Sequence, residues 1–198
     1  MLTKTIRYAS IALIAISVIA CNSSRRVQRV DPNETIDLSG RWNDSDSRLT
    51  ANAMIDQSLT EPWLTNFMES HGGKKPTVIA GMVTNKSHEH IDAETFIKDL
   101  ERAFIKAQKV RVVQGGDKRE EIRKERADQQ NYSSKSSMKK WGLEQGADFM
   151  LQGTINSFVD TYNKEKVVSY QIDLELTNLE TNEIVWIGDK KIKKYIRN

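Results

Sequence analysis

Between Val167 and Leu179 the chain alternates without a break. Val168, Tyr170, Ile172, Leu174 and Leu176 stand on one phase, and Gln171, Asp173, Glu175 and Thr177 on the other. A period of two marks a strand with one face on a core and one face in water. A helix is excluded here, because its apolar positions recur every three to four residues. Glu180-Thr181-Asn182-Glu183 follows as a polar turn, and Ile184-Val185-Trp186-Ile187 pairs back. The chain therefore builds a sheet with an antiparallel hairpin near its C-terminus, and that sheet needs a second layer over its apolar face.

The upstream sequence supplies helices for that layer. Asp46 or Ser47 caps a helix starting near Arg48, with Leu49, Ala53 and Met54 or Ile55 as its apolar stripe. Pro62 suits the first position of a second helix, which carries Trp63 and Phe67 one turn apart and stops at His71-Gly72-Gly73. The continuous apolar run Thr77 to Val83 reads as a buried strand. Asp92 caps a helix whose stripe is Phe96, Leu100, Ala103, Phe104 and Ala107, and Lys109 to Gln114 is a strand ended by Gly115-Gly116. Asp117 caps a charged helix reaching about Gln130, Ser136 or Ser137 opens another with Met138, Trp141 and Leu143, and Phe149 to Ile155 is a strand. Trp63, Trp141 and Trp186 sit in apolar stripes and are expected in the core. With 198 residues, the expected fold is one α/β (α+β) domain: a two-layer mixed sheet of about four to five strands with helices packed on it.

The first twenty residues stand apart. Lys4 and Arg7 precede the apolar stretch Ile11 to Ala20, about half the roughly 20 residues needed to span a bilayer and the right length for a signal peptide. The junction Val18-Ile19-Ala20-Cys21 has the order of a bacterial lipobox, and Cys21 is the single cysteine of the chain. A small residue before the cut admits the peptidase, and the thiol then takes the lipid. Several acyl chains make a lasting anchor where one is marginal. Residues 1–20 are thus expected to be a signal peptide, and 21–36, rich in Ser and Arg, a lipidated cysteine and flexible tether. Residues 37–198 form the globular domain.

Charge narrows the partners. The chain has 30 Lys and Arg against 27 Asp and Glu, and residues 1–20 contain two basic and no acidic side chains, which leaves 28 against 27. So balanced a chain gives no reason to expect nucleic acid as a partner. One cysteine excludes a disulfide framework and a cysteine zinc site. His88-Glu89-His90, with Asp92 or Glu94, is the one combination spaced for a metal, and it reads more simply as a solvated polar loop, so no metal is expected. There is no nucleophile elbow, phosphate-binding glycine loop or dinucleotide fingerprint, so neither an enzyme nor a cofactor is expected.

Three stretches taken in order resemble a known family. They are Pro76 to Asn85 with Val110 to Val113, then Gly142 to Gly153, then Leu174 to Trp186 with its Thr-Asn-Glu-Ile-Val-Trp ending. Together with the lipobox they are similar to the LpoB family of penicillin-binding protein activators, over most of residues 37–193. The resemblance implies an outer-membrane lipoprotein facing the periplasm. Its domain would dock on a bifunctional class A penicillin-binding protein and raise peptidoglycan synthesis. A short tether, the charged helix Arg119 to Arg126 and a long turn from Asp160 to Lys166 depart from the family pattern.

Partner contacts have two candidate sources. Trp42, among turn formers, is either an exposed recognition residue or an aromatic pinning the N-terminal segment on the domain. The run Lys190, Lys191, Lys193, Lys194 either meets an acidic partner or anionic lipid, or lies on an edge strand where lysines block sheet-to-sheet pairing. A second class of function, an assembly or secretion component of the envelope, fits the same lipobox and sheet. A pore does not, because no pair of ten-residue alternating strands with aromatic girdles is present.

Cys21→Ala is expected to leave the chain unlipidated with its folded domain intact. Metabolic labelling with a fatty-acid probe checks this, and a labelled Cys21→Ala protein refutes the lipid anchor.

Overall fold

The computed structural model describes residues 27–134, 136 and 144–197. The chain divides into two compact units, residues 1–34 and 35–198. In the first, residues 27–34 are exposed and carry one turn, in which the Glu34 amide donates to the Asp31 carbonyl.

The second unit contains helices α1 (Asp44–Ser58), α2 (Pro62–Ser70), α3 (Ala93–Ala107) and α4 (Gly116–Tyr132), and strands β1 (Thr77–Asn85), β2 (Arg111–Val113), β3 (Phe149–Tyr162), β4 (Glu165–Asn178) and β5 (Ile184–Arg197). The strands form one mixed sheet in the order β2-β1-β3-β4-β5. β1 runs parallel to β2 and β3, whereas β3, β4 and β5 are successively antiparallel. Parallel neighbours need crossovers, and α3 carries the chain from β1 to β2.

Each helix starts for a local reason. Asn43 caps α1 in a capping box with Asp46, so this helix begins four residues before the expected Arg48. Its buried face is Ala51, Met54, Ile55 and Ser58, and Leu49 points outward. Glu61-Pro62 opens α2, and Gly72 and Gly73, both with positive φ, close it. The Asp92 carboxylate accepts from the Glu94 and Thr95 amides and starts α3, whose Phe96, Leu100, Ala103 and Phe104 are buried as the stripe requires. Gly115, not Asp117, precedes α4, and Asp117 is a first-turn acid. No residue of α4 is buried. Glu120 there pairs with Arg123, and Arg123 and Arg126 both reach Glu144.

The core lies between α1, α2, α3 and one face of the sheet. It holds Val78, Phe149, Leu151, Ile155, the five apolar residues of β4's alternation, and Trp186. Trp63 and Phe67 meet Phe149 edge-on. Trp141 and the helix expected from Ser136 or Ser137 lie outside the described residues. Among the described residues, every buried core residue falls between Ala51 and Trp186.

The expected long turn at Asp160 to Lys166 is instead strand. Tyr162 pairs with Glu165, and only Asn163 and Lys164 make the turn, Asn163 with φ 53°. The two strands extend past the helices, so their last residues are solvated and polar, which imitates a loop. β3, β4 and β5 are each 14 residues long.

Gly153 sits where β3 is paired on both sides. A Cβ there would lie 2.2 Å from the Asp173 carbonyl oxygen and 2.5 Å from Leu174 Cδ2. Backbone cannot yield as a side chain does, so Gly153→Ala is expected to cost about 2–3 kcal/mol. Chemical denaturation measures it, and an unchanged midpoint refutes the close approach.

Candidate partner-docking surface

Two features outside the core are built from residues distant in sequence. One is a strap, residues 37–43, laid over the helix-side end of the sheet. The other is the opposite face of β3, β4 and β5.

Strand alternation places Lys194 of β5 on the helix side, opposite Val168. It is 9% exposed. Its Nζ donates to Asp37 Oδ1 at 2.6 Å, Asp46 Oδ2 at 2.5 Å and the Arg41 carbonyl at 2.9 Å. Asn43 Nδ2 also donates to Asp37 Oδ1, at 2.7 Å. Burial opposes the charge on Lys194, but the hydrogen bonds to Asp37 and Asp46 outweigh it and raise its pKa. The Lys194 hydrogen bond likewise holds the Asp37 carboxyl below its ordinary range. Next along the strap, Gly40 (φ 68°) lies against Ile196, whose Cδ1 occupies the place a Cβ would take. Trp42 then wedges edge-on between Phe96 and Tyr170, with centroids 6.1 and 5.6 Å away, and its backbone amide donates to Glu89 Oε2 at 3.1 Å. Burial, and then the Glu89 carboxylate, push the Tyr170 hydroxyl well above its ordinary pKa.

The His88-Glu89-His90 loop supports this strap. His88 Nδ1 is 2.6 Å from Ser157 Oγ, and its Nε2 is 3.3 Å from Glu89 Oε1. Among the described residues no group of three or more His, Cys, Asp or Glu is placed to hold a metal ion.

The other face of the sheet is open over β3 to β5. Register pairs Gln152 with Glu175 and Ile187, Thr154 with Asp173 and Asp189, Asn156 with Gln171 and Lys191, Phe158 with Ser169 and Lys193, and Tyr162 with Glu165 and Arg197. Five large apolar or aromatic side chains stand out of it: Tyr162 (76% exposed), Met82 (69%), Ile187 (68%), Phe158 (65%) and Tyr195 (59%). Asp173, Glu175 and Asp189 make one half acidic, and Lys191, Lys193 and Arg197 stand in the other half together with Asp160 and Glu165. A shallow cleft of about 260 Å³ opens between Met82, Gln152, Glu175 and Ile187. Another, about 660 Å³, lies at the α2 end beside Trp63, Phe67 and His71.

The basic run of β5 is thus not one patch. Lys191 and Lys193 project from the open face; Lys190 and Lys194 belong to the helix side, Lys190 exposed and Lys194 enclosed. Lys194 is enclosed by its partners, and Trp42 is half-buried against the core, so both serve as braces of the strap. Met82, Phe158, Ile187 and Tyr195 escaped the sequence reading. Their signal was the outward phase of the strands, but nothing local marks which outward phase lacks a cover.

A model of the family described as peptidoglycan-synthase activator LpoB matches residues 46–192. Among solved structures, the LpoB C-terminal domain from Escherichia coli is similar at 15% identity and TM-score 0.44, with 75% of this chain and 99% of that one covered. The corresponding domain from Salmonella enterica gives 15%, 0.42, 75% and 99%. Lipoprotein GNA1162 from Neisseria meningitidis gives 14%, 0.41, 61% and 83%. A comparison with curated protein sequences finds no match.

The strap's ion cluster sets a pH dependence. Asp37 has a folded pKa below 3.8, so its contribution is present above that value and is lost as pH falls through the folded pKa. Lys194 is raised above 10.5, so its contribution holds below 10.5 and is lost only as pH rises beyond it. Thermal melts from pH 7 to pH 3 are expected to fall more steeply for the wild type than for Asp37→Asn. Lys194→Met, which strands the buried Asp46 carboxylate, is expected to cost about 3 kcal/mol at pH 7.

Proposed function

The chain belongs to the LpoB family of peptidoglycan-synthase activators, and from that premise we propose that it is a lipid-anchored, non-catalytic envelope protein that binds a class A penicillin-binding protein through the open face of its sheet. The match over residues 46–192 carries this reading, because it runs from α1 into β5 and so takes in Met82, Glu175, Ile187 and Lys191, the part of that face the contact uses. Cys21 provides the anchor, from the outer membrane into the periplasm. Among the described residues no helix is long and apolar enough to cross a membrane.

An activator without chemistry of its own works through binding. It raises the synthase's activity only by the difference in its affinity for the active and resting conformers. A hundredfold preference supplies about 2.7 kcal/mol, enough to move a synthase from mostly resting to mostly active. Large exposed apolar side chains beside a shallow cleft are the usual centre of such contacts, and charges around them set orientation and encounter rate. Met82 and Ile187 fill the first role here. Lys191, at the boundary of the acidic half, fills the second and calls for an acidic partner group. A tether shared with the synthase's compartment keeps the pair at high effective concentration.

Ile187→Glu with Met82→Lys places charge at the centre of that contact without touching the core. The double variant is expected to melt as the wild type does and to bind a purified class A synthase at least tenfold more weakly, with a parallel loss of stimulated glycan polymerisation. Undiminished stimulation removes the open face from the proposal. Absence of binding by the wild type removes the partner.

A further inference from the structure

We propose that the free end of the sheet, where the β3–β4 turn and the end of β5 meet the strap, is a contact site for anionic phospholipid. The proposal goes beyond synthase docking and uses the far end of the sheet, away from Met82 and Ile187; its physiological setting rests on the Cys21 anchor.

Three observations converge on this end. The first is position. The folded unit begins at Thr35. The Ile36 carbonyl then accepts from Asn43, Asp37 is clamped by Lys194, and Gly40 abuts Ile196. The chain thus enters the domain beside the last residues of β5. Register places the Asn163-Lys164 turn at the same end, because Tyr162 pairs with Glu165 and Glu165 with Arg197. A tether of 15 residues, Asn22 to Ile36, spans at most roughly 50 Å and averages nearer 20 Å. The end where it enters is therefore the end held nearest the bilayer.

The second observation is apolar exposure. Leu38 (94% exposed) and Tyr162 (76%) join Phe158, Val159 and Tyr195 around this end. The core has no use for them, and a cluster of this kind on a single end marks an interaction site. Tyr is a side chain suited to the bilayer interface, with an apolar ring and a polar tip. The third is charge. Arg41, Lys164, Lys166, Lys193 and Arg197 stand here against Asp160 and Glu165, of which Glu165 lies 3.7 Å from Arg197. Cations interleaved with aromatic and aliphatic side chains, on the end nearest a membrane, fit an anionic lipid surface. The acidic half of the sheet, Asp173, Glu175 and Asp189, then points away from the lipid, which leaves the region of Met82 and Ile187 clear for a protein.

The test uses the chain from Asn22 onward, which retains every core residue among those described. An added N-terminal histidine segment binds nickel-chelating lipid in place of Cys21. This chain has no cysteine, so Tyr162→Cys and Thr181→Cys each carry a single environment-sensitive dye. On phosphatidylcholine vesicles containing about one third phosphatidylglycerol, the dye at 162 is expected to shift to the blue and be quenched by nitroxide-bearing lipid. The dye at 181, on the opposite hairpin, is expected to do neither. Without the histidine tether, Lys164→Gln with Lys193→Gln is expected to weaken vesicle binding about 30-fold, roughly fivefold for each cation. A dye at 162 that stays as wet as the one at 181 overturns the proposal. So does protection at 162 that appears only when a synthase is added, which would assign this end to a protein. The histidine tether makes the outcome independent of acylation, so failure of the Cys21 anchor shows separately in fatty-acid labelling.

Discussion

β4 has to bury one side only. Val168, Tyr170, Ile172, Leu174 and Leu176 are almost fully enclosed, while the residues between them face water. A slip of one position would expose all five and bury Gln171, Asp173 and Glu175 instead, so the register is held by a large penalty. β3 and β5 inherit that register from their partners. α1, α2 and α3 are confined to the side where the five point, and the remaining face is left open by the same requirement. The open face is thus a product of how the core is made. It costs the fold nothing to devote that face to a partner.

Electrostatics does the finishing work at the margin. Lys194 is the third consecutive helix-side residue of β5 after Lys190 and Ile192, at a place where the helices no longer supply apolar cover. Two aspartates and a carbonyl replace that cover, and Asp46 serves twice, to Lys194 and in the cap of α1. Loss of one member affects the strap, the helix start and the end of β5 together. A buried ion pair seldom outdoes a well-packed apolar contact in stability. What it adds here is geometry, since its bonds tie Asp37, Arg41 and Asp46 to one lysine of β5.

Much of the architecture was legible because long-period patterns dominate it. The stripe of α3, the cap at Asp92 and the alternation of β4 each carry several residues of mutually consistent signal. Boundaries set by single polar residues were less legible. Asn43 captured the start of α1 because its capping box with Asp46 outcompetes a cap at Asp46 itself. The Asp160 to Lys166 hairpin read as a loop because strands that outrun their covering layer lose the apolar phase that identifies them. For the surface, sequence grouped the lysines of β5 by proximity, whereas strand geometry separates them by parity. The consequence is sharp at Lys194, whose partners lie some 150 positions upstream, beyond any local pattern.

The strap and its anchor also divide what is inherited from what is stable. The family match starts at Asp46 and stops at Ile192, so Asp37, Gly40, Trp42, Lys194 and Ile196 all fall outside it. A fragment trimmed to the matched stretch would shorten α1 and β5, lose the cap of α1, uncover Phe96 and Tyr170, and leave Asp46 without its cation. Recognisable ancestry therefore ends several residues short of the folding unit at both termini. The two flanks, far apart in the chain and joined in space, have to be kept or exchanged as a pair.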